Sequence, residues 1–381
     1  MPGTLSVHES FAAIDPAEWD ALAGDHWPYL EHAFLRGLET SGSVGGRTGW
    51  QPLPVCLRDG GRLVAAAPLY LRADSTGEFI FDWAWAEFYQ RNGLRYYPKL
   101  TVAAPFTPAT GPRLLVHPGA ADPDRLRAQL AEAILGLAGQ IGASGAHILF
   151  CQPQEAVALA ATGWIHRQTA QTAWDNPGWS TFAAYLDSLR SPARKQIRKE
   201  RRAIADSGLE IATVRGDRLP AEGWRALRRF YEGNAERYGA EAYLTPEFFA
   251  HLEQHLAHRV VACIAMKSGR YVAGTLSLQK GRNLFGRYWG AEVELPFLHF
   301  ELAFYRLMEA CIAEGWQHFE PGAGGGHKLR RGMNPVLVHS AHRLLLAPCH
   351  AAVAAHVVGE TAAMTDHVAS LRLQATARRD G

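Results

Sequence analysis

The residues best suited to chemistry follow a glycine-rich loop, Gly322–Gly326, in which four of the five positions are glycine. Glycine lets main-chain N–H groups approach a ligand closely, and successive N–H groups in such a loop form a concavity that binds anions. His327 and Lys328 come next, with Arg331 close behind. An imidazole titrates near neutral pH and can move a proton, whereas the two cations can hold a phosphate or a carboxylate. A flexible turn is the ordinary explanation of a glycine run. The segments on either side therefore have to show whether this one is a turn or a binding loop.

A second basic feature is the segment from Arg190 to Arg202, which holds seven basic residues and one acid. Ser191 and Pro192 predict that a helix starts here. Helical spacing puts the cations in two adjacent stripes, formed by Arg194, Arg198 and Arg201 and by Lys195, Lys199 and Arg202. A solvated helix face is one explanation, and a docking face for the phosphates of RNA, a nucleotide or a lipid-linked diphosphate is the other. Because the segment has no aromatic residue, contacts to a phosphate backbone are favoured over reading of bases.

Two further motifs precede the glycine loop. Arg287 and Gly290 fit the start of an Arg/Gln-x-x-Gly-x-Gly/Ala pattern that binds pyrophosphate at a helix N-terminus, but Glu292 stands where a small residue is needed and would repel phosphate. His299 and Glu301 lie near the start of a predicted long helix. Because they are two positions apart, they cannot face the same site.

The first half of the chain contributes an aromatic cluster that carries charges. Asp82 and Trp85 lie in one aromatic run, and Tyr97 and Lys99 lie in the next. These residues would suit a pocket that is partly apolar and partly polar. A place in the hydrophobic core is the alternative, but Asp82 would then need a buried partner.

The elements that must position these residues occur in the same order in both halves: helix, hairpin, strand, helix, strand. The two predicted hairpins even share letters, because Gly61–Ala65 reads GRLVA and Gly269–Ala273 reads GRYVA. These features predict a duplicated α/β (α+β) unit, with domains at residues 1–174 and 175–381. Phe79–Trp85 is predicted to be a strand, and Asp122–Ile141 an amphipathic helix.

Composition excludes several other classes. The hydrophobic fraction of 48% and the charged fraction of 20% are those of an ordinary globular protein, and the net charge of +2 argues against a general coating of nucleic acid. Five scattered cysteines argue against a zinc site or a disulfide framework. No P-loop, dinucleotide fingerprint or Ser/His/Asp motif is present. With neither a signal peptide nor a spanning segment, we expect a cytoplasmic protein without metal or cofactor.

Taken together, the motifs resemble one bacterial family, the predicted N-acyltransferases labelled peptidoglycan biosynthesis/recognition, which are related to the Fem-type aminoacyl transferases. The resemblance runs from about residue 10 to 346. The segments that carry it are Gly77–Ala86, Tyr96–Leu100, Pro105–Pro108, Thr110–Arg113, Arg194–Arg202, Gly286–Gly290, Leu298–Glu301 and Phe319–Ala323. It implies two tandem GCN5-related N-acyltransferase-like units, each a mixed central sheet flanked by helices. In that fold two parallel strands splay apart and leave main-chain groups free to hold a carbonyl.

The glycine loop departs from the family pattern. Relatives usually carry Gly-Ala-Gln-Gly-Glu-His-Lys, whereas Gly322–Lys328 reads GAGGGHK. Gly324 and Gly326 therefore stand where the family has Gln and Glu. If that Glu orients or deprotonates the amine in the relatives, another group must do so in this protein. The departure predicts a divergent acceptor in specialised metabolism.

The sequence thus predicts an enzyme, an N-acyltransferase that joins an activated acyl group to a small amine by direct attack, in a cleft between two similar halves. Fem-type relatives move an amino acid from aminoacyl-tRNA, commonly to a peptidoglycan precursor, so aminoacyl-tRNA is the favoured donor and a tRNA contact is expected. An acyl-CoA or acyl-carrier-protein donor is the alternative. A non-catalytic module that binds a phosphorylated cell-wall precursor or RNA is a third interpretation.

Each predicted site residue has a role in that hypothesis. The base is His327, or else His299, while Lys328 stabilises the oxyanion and Glu301 completes the catalytic set. The residues predicted to hold the donor and its phosphates are Arg287, Arg331, Arg194, Lys195, Arg198 and Arg202. The residues predicted to bind the acceptor are Asp82, Trp85, Tyr97, Lys99 and Tyr288.

Overall fold

The computed structural model describes residues 3–239, 241–324 and 326–373. The strands in these ranges are β1 Thr4–Val7, β2 Trp50–Pro52, β3 Val55–Asp59, β4 Arg62–Ala67, β5 Leu69–Arg72, β6 Lys99–Val102, β7 Leu115–Val116, β8 Gly145–Cys151, β9 Ile165–Asp175, β10 Glu210–Arg215, β11 Val260–Lys267, β12 Arg270–Lys280, β13 Asn283–Ala291, β14 His318–Glu320 and β15 Asn334–Leu344. The helices are α1 Pro16–Ala23, α2 His32–Thr40, α3 Trp83–Arg91, α4 Pro123–Gln140, α5 Pro153–Ala161, α6 Phe182–Asp187, α7 Ser191–Ala205, α8 Ala221–Arg237, α9 Pro246–His255, α10 Leu298–Phe300, α11 Arg306–Glu314 and α12 Ala347–Leu373, with a π-helical turn, Glu301–Tyr305, between α10 and α11.

The chain divides into two compact units. Unit 1 takes in the described residues of Met1–Ala170 and Leu337–His367, and unit 2 those of Gln171–Val336 and Val368–Gly381. The sequence predicted domains at 1–174 and 175–381, so the first boundary lies close to the predicted one. The segment 337–367, however, packs with unit 1, because β15 pairs with β8 and Cys349, Val353 and Val357 of α12 pack against the aromatic side chains of α3.

Each unit is built around one pair of parallel strands joined by helical structure. In unit 1 the main sheet has the order β15-β8-β6-β5-β2, and β6 runs parallel to β8 with α4 between them in the chain. In unit 2 the order is β10-β11-β12-β13-β14-β9, and β13 runs parallel to β14 with α10 and α11 between them. Each unit is thus a mixed sheet flanked by helices, which confirms the predicted fold class.

The letters shared by the two halves fall at the same place in equivalent hairpins. Asp59 pairs with Arg62 across one two-residue turn, and Lys267 pairs with Arg270 across the other. Both central residues of each turn have positive φ, including a serine, Ser268, at 50°. Two consecutive residues with positive φ define a type I′ turn, whose twist matches that of the strands.

One element was predicted wrongly. Phe79–Trp85 was predicted to be a strand, but α3 begins at Trp83 and continues to Arg91. Trp85 and Tyr89 are buried one helical turn apart, so the aromatic side chains follow the helical period and not the strand period. In the part of the chain that the structure describes, no helix is both long enough and apolar enough to cross a membrane.

Unit 2 depends on a close approach between α8 and β13. A Cβ atom added to Gly290 would lie 1.9 Å from the carbonyl oxygen of Phe230 on α8. That neighbour is backbone and cannot rotate away, so the strand and the helix would have to separate.

We therefore expect Gly290→Ala to destabilise the protein by about 2–3 kcal/mol or more, as overpacking does. Gly233→Ala is the matched control, since this position on α8 has nothing within 4 Å of an added Cβ. There we expect a gain of about 0.5–1 kcal/mol from helix propensity. Urea unfolding of both variants measures the difference, and equal effects would contradict the packing argument.

Candidate functional site

The site is created where two parallel strands of unit 2 separate. β13 and β14 pair only over Asn283–Phe285 and His318–Glu320. Just beyond, β13 carries a bulge: Ser277 pairs with Gly286 and Leu276 pairs with Tyr288, so Arg287 is an extra residue. A bulge bends its strand and redirects the side chains beside it. The two strand ends therefore diverge, and a cavity opens between them.

The cavity has a volume of about 560 Å³, within the range typical of small-molecule sites. Its walls come from β12, β13, the helical segment after β13 and the loop after β14. The lining residues are Asn234, Tyr238, Thr275, Ser277, residues 286–289, His299, Ala303, Phe304, Leu307, residues 321–324, His327 and Lys328. All of them belong to unit 2, whereas the sequence hypothesis expected a cleft between the two halves.

Lys328 binds the main chain of the glycine loop that precedes it. Its side chain is buried, and Nζ donates hydrogen bonds to the carbonyl oxygens of Gly322 at 2.7 Å and Ala323 at 3.2 Å. Gly322 and Gly324 have φ values of 89° and 73°, a region that glycine enters without strain. Burial lowers the pKa of Lys328 to about 8, so its ammonium titrates close to physiological pH.

Two histidines face the same cavity. The ring centroids of His299 and His327 are 6.0 Å apart, and His327 also packs against Phe300 and Phe304. Burial, Arg331 and Lys328 lower the pKa of His327, and burial lowers the pKa of His299 to about 4. Both rings are therefore neutral at neutral pH. Nε2 of His327 is buried and has no hydrogen-bond partner among the described residues.

Arg331 anchors the segment that carries His327. Its guanidinium donates two hydrogen bonds to the buried carboxylate of Glu200, at 3.1 and 2.7 Å, and a third to the carbonyl of His327 at 2.8 Å. It also lies 3.3 Å from the ring centroid of Phe300. The hydroxyl of Tyr305 donates to Glu200 as well. Because its charge is paired, the geometry favours a positioning role for Arg331 over the predicted contact with a donor phosphate.

Glu301 faces away from the two histidines, as the spacing on the helix predicts. Its carboxylate pairs with Arg201 at 3.0 Å and Arg306 at 3.1 Å. It lines a different cavity, of about 480 Å³, beside α7. The structure therefore does not bring Glu301 together with His299, His327 and Lys328.

Arg287 and Tyr288 line the cavity together, and a guanidinium nitrogen of Arg287 donates to the hydroxyl of Tyr288 at 3.1 Å. Glu292, which spoils the pyrophosphate pattern, lies 3.3 Å from Arg229. Gly290 is explained by the close approach of α8 and does not require a phosphate.

The basic helix is α7, one face of which is buried through Ala193, Ile197, Glu200 and Ile204. Arg194 and Arg198 lie 3.5 and 3.8 Å from the carboxylate of Asp187. Lys195 and Arg202 are exposed and, in the residues that the structure describes, have no carboxylate within ion-pair distance. The predicted cationic stripe is therefore present on the surface of unit 2.

The predicted acceptor residues of unit 1 form a buried ion-pair network. Lys99 is fully buried, and its ammonium donates to Glu78 at 2.7 Å, to Ser75 at 2.8 Å and to Asp82. Burial opposes ionisation of Asp82, but Lys99 and His147 still lower its pKa. Lys99 is thus the buried partner that Asp82 needs in the core.

The other two predicted acceptor residues adjoin this network. The hydroxyl of Tyr97 is 2.8 Å from Ser75 Oγ, and the guanidinium of Arg167 lies 5.0 Å from the Trp85 ring. Acceptor binding by the four residues of unit 1 stays a prediction.

Sequence reasoning missed four polar residues. Asn234, Thr275 and Ser277 line the cavity, and Glu200 orders the loop. The alternation of Thr275 and Ser277 in an apolar strand was a usable signal, since residues two apart on a strand share a face. Glu200 was the only acid in its basic run, and a lone acid in such a run is a candidate buried partner.

Comparison with known proteins identifies the family to which the chain belongs. The family model described as FemAB-like, peptidoglycan biosynthesis/recognition, matches residues 10–379, so the chain belongs to that family. No curated protein matches the chain. Membership of this family makes the protein an acyltransferase, as the sequence predicts.

Solved structures show the same fold at low identity. The crystal structure of FemX is 11% identical, with a TM-score of 0.54 over 92% of this chain and 100% of that chain. L-PGS from Bacillus licheniformis is 12% identical, with a TM-score of 0.52 over 88% and 98%. The C-terminal domain of a putative lysylphosphatidylglycerol synthetase from Agrobacterium fabrum is 13% identical, with a TM-score of 0.50 over 68% and 82%.

Breaking the buried pair from one side should loosen the loop. We expect Arg331→Met to cost about 3–5 kcal/mol of unfolding free energy, because it leaves the carboxylate of Glu200 buried and unpaired. Removing both charges in Glu200→Gln with Arg331→Met should cost less than Arg331→Met alone. Arg330→Met, at the exposed neighbouring position, is the control and should change stability little. Denaturant titration measures all three, and a double variant that loses more stability than Arg331→Met alone would contradict the pairing argument.

Proposed function

We propose that this protein forms an amide bond by direct transfer of an activated acyl group, most suitably an aminoacyl group, to a free amine in the cavity between β13 and β14. The observation that supports the proposal is the meeting of a neutral imidazole and a lysine ammonium at diverging parallel strands. Acyl transfer to an amine needs those functions: a group that accepts a proton from nitrogen, and positive charge or N–H donors for the oxyanion.

In the proposed reaction the amine nitrogen attacks the carbonyl carbon of the donor ester. His327 accepts the proton from nitrogen at Nε2, and the ammonium of Lys328 stabilises the negative oxygen. The C–N bond forms, the ester C–O bond breaks, and the proton passes from the imidazole to the departing oxygen. His299 is the alternative base, but burial depresses its pKa to about 4, which makes it the weaker one.

This assignment also accounts for the departure of the loop from the family pattern. A carboxylate at position 326, as in relatives, would be available to take the proton from the amine. With glycine there, the neighbouring imidazole at 327 is the group left for that step. A neutral histidine serves as a base at neutral pH without being deprotonated first.

The donor that we favour is an aminoacyl-tRNA. The exposed cations of α7 supply the charge that a phosphate backbone would need. Glu292 disfavours the pyrophosphate of acyl-CoA at the usual place. Mass spectrometry of products formed from charged tRNA or from acyl-CoA pools tests the two donors directly.

The pH profile of kcat/KM should be bell-shaped, with one limb for each group. A neutral His327 is required, so the acid limb should lie at lower pH than for an ordinary histidine, because burial and the nearby Arg331 and Lys328 lower the pKa of this histidine. A charged Lys328 is required, so the rate should fall above about pH 8.

Single variants show which side chain causes each limb of the pH profile. His327→Gln should lower the rate about a hundredfold or more and abolish the acid limb, whereas Lys328→Met should abolish the alkaline limb. Profiles that keep both limbs in both variants would refute the assigned roles. His299→Gln is the informative comparison, because a larger loss there would move the base to His299.

Transfer from aminoacyl-tRNA should be sensitive to salt and to the charge of α7. Neutralising Lys195, Arg198, Lys199 and Arg202 together should weaken tRNA binding. The slope of the logarithm of the binding constant against the logarithm of salt concentration should become shallower by about 0.7–0.9 for each phosphate contact that is lost. Neutralising Arg218 and Arg225, two exposed cations elsewhere in unit 2, is the control. Activity that survives ribonuclease treatment would exclude tRNA and favour an acyl-CoA donor.

A further inference from the structure

Two hydroxyl side chains of β12, those of Thr275 and Ser277, line the cavity between β13 and β14. Oγ1 of Thr275 has a partner, because it accepts a hydrogen bond from the main-chain N–H of Cys263 at 3.3 Å. Ser277 is fully buried, and its Oγ has no hydrogen-bond partner among the described residues. Buried polar groups in proteins are nearly always hydrogen-bonded. Since the exception at Ser277 lies in the wall of a cavity, a bound molecule can supply the missing partner.

Ser277 lies beside the point at which the two parallel strands separate. It pairs with Gly286, the residue that precedes the bulge in β13. A Cβ atom added to Gly322 would lie 3.2 Å from the carbonyl oxygen of Gly286, and the carbonyl oxygen of Gly322 accepts a hydrogen bond from Lys328 Nζ at 2.7 Å. The hydroxyl and the ammonium are therefore connected through two adjoining main-chain positions at the start of the gap.

Lys328 alone is a limited donor for a negative oxygen that forms during the reaction. An ammonium has three N–H bonds, and two of those on Lys328 are directed at the carbonyl oxygens of Gly322 and Ala323. The third has no acceptor among the described residues, so it is the one left for a substrate. The negative oxygen of acyl transfer is stabilised by donors that are fixed in advance. A hydroxyl without a partner in the chain can donate to such an oxygen and lose no other hydrogen bond.

A second atom of the cavity agrees with this division of roles. Nε2 of His327 is also buried and has no partner among the described residues. A ring nitrogen that acts as a base accepts a hydrogen bond and therefore needs an N–H donor, which the amine supplies. The other reacting group is a carbonyl oxygen, which only accepts hydrogen bonds and therefore matches the hydroxyl of Ser277. The two unpartnered atoms thus fit the two reacting groups, one each.

We propose that Ser277 is a catalytic residue whose hydroxyl donates a hydrogen bond to the oxygen of the acyl carbonyl, beside the ammonium of Lys328. This role rests on the proposed function, because it concerns the tetrahedral intermediate of that reaction. When the amine attacks, the π electrons of the carbonyl move to the oxygen, and Ser277 donates to the resulting negative charge. When the C=O bond forms again, the ester C–O bond breaks and the departing oxygen takes the proton held by His327. Ser277 keeps its own proton throughout.

The kinetic test compares Ser277→Ala with the wild-type full chain, with charged tRNA or acyl-CoA as the donor and the product measured by mass spectrometry. The variant should lower kcat by about 10²–10³-fold, the effect of removing one donor to the oxyanion. KM should change little, because the interaction is made mainly in the transition state. Both limbs of the pH profile should stay in place, since a serine hydroxyl does not titrate between them. A wild-type kcat in Ser277→Ala, or a change in KM alone, would overturn the proposal.

Thermal unfolding separates a catalytic hydroxyl from a structural one. A buried hydroxyl without a partner is unfavourable in the ligand-free chain, so Ser277→Ala should raise the midpoint of unfolding although it lowers kcat. Ser340→Ala is the matched control, because Ser340 is equally buried but its Oγ lies 2.8 Å from Nε2 of His342. That variant should lower the midpoint and keep the wild-type kcat. A lower midpoint in Ser277→Ala would show that its hydroxyl has a structural partner and would overturn the proposal.

The same transfer assay separates the role of Ser277 from the proposed function. Transfer by the wild type at a rate that Ser277→Ala matches would uphold the function and overturn the role of Ser277. No transfer by the wild type from either donor would overturn the function, and this role with it. A variant that is slower, more stable and unchanged in the two limbs of its pH profile supports both.

Discussion

The candidate site depends on one constraint, the separation of β13 from β14 after only three paired residues on each strand. Where two strands separate, their N–H and C=O groups lose their sheet partners, and such groups must find others. At the start of the gap the backbones are still close: an added Cβ at Gly286 would lie 3.3 Å from Pro321, and one at Gly322 would lie 3.2 Å from the Gly286 carbonyl. Side chains at these two positions would fill the entrance of the gap, so glycine keeps it open for a ligand.

A gap in a sheet is useful only if the groups around it are held in place. On one side the bulge at Arg287 fixes the direction of β13. On the other side the chain forms a 3-10 helix, Gly326–Arg331, and charged side chains hold it in place. Lys328 binds the loop carbonyls, and Arg331 connects the next turn to Glu200 on α7. Because these ionic contacts are buried, water and salt screen them little.

The sequence predicted the local part of this arrangement well. His327, Lys328, His299, Arg287 and Tyr288 were all named from motifs, and all five line one cavity. The hairpin repeat was also informative, because a type I′ turn needs particular residues at particular positions. Motifs and turns depend on residues that are close together in the chain, so they can be recognised in the sequence alone.

Long-range pairing was not visible in the same way. Arg331 and Glu200 are 131 residues apart. Glu200 stands out as the only acid in its basic run, but neither segment shows which cation it pairs with. Lys99 was predicted to line an acceptor pocket, with the core as the alternative, and the fold surrounds its ammonium with oxygens of Ser75, Glu78 and Asp82. Both charged side chains, Arg331 and Lys99, were assigned to ligands, and the structure shows that each also has a buried carboxylate partner in another part of the chain. Ser277 was missed for the opposite reason, since a small polar residue in an apolar strand resembles a tolerated core position.

The same geometry bears on whether the acyl group passes through the enzyme covalently. A nucleophilic side chain needs a base hydrogen-bonded to it or a depressed pKa. All five cysteines are buried, none is among the described residues that line the cavity, and burial raises the pKa of Cys263 to about 12. The hydroxyl of Ser277 has no hydrogen-bond partner among the described residues, hence no base to activate it. What the cavity does offer is a neutral imidazole and a cation at fixed positions. Direct attack uses both, because an amine is already a nucleophile once its proton is lost, and two reactants held side by side gain most of their rate from proximity.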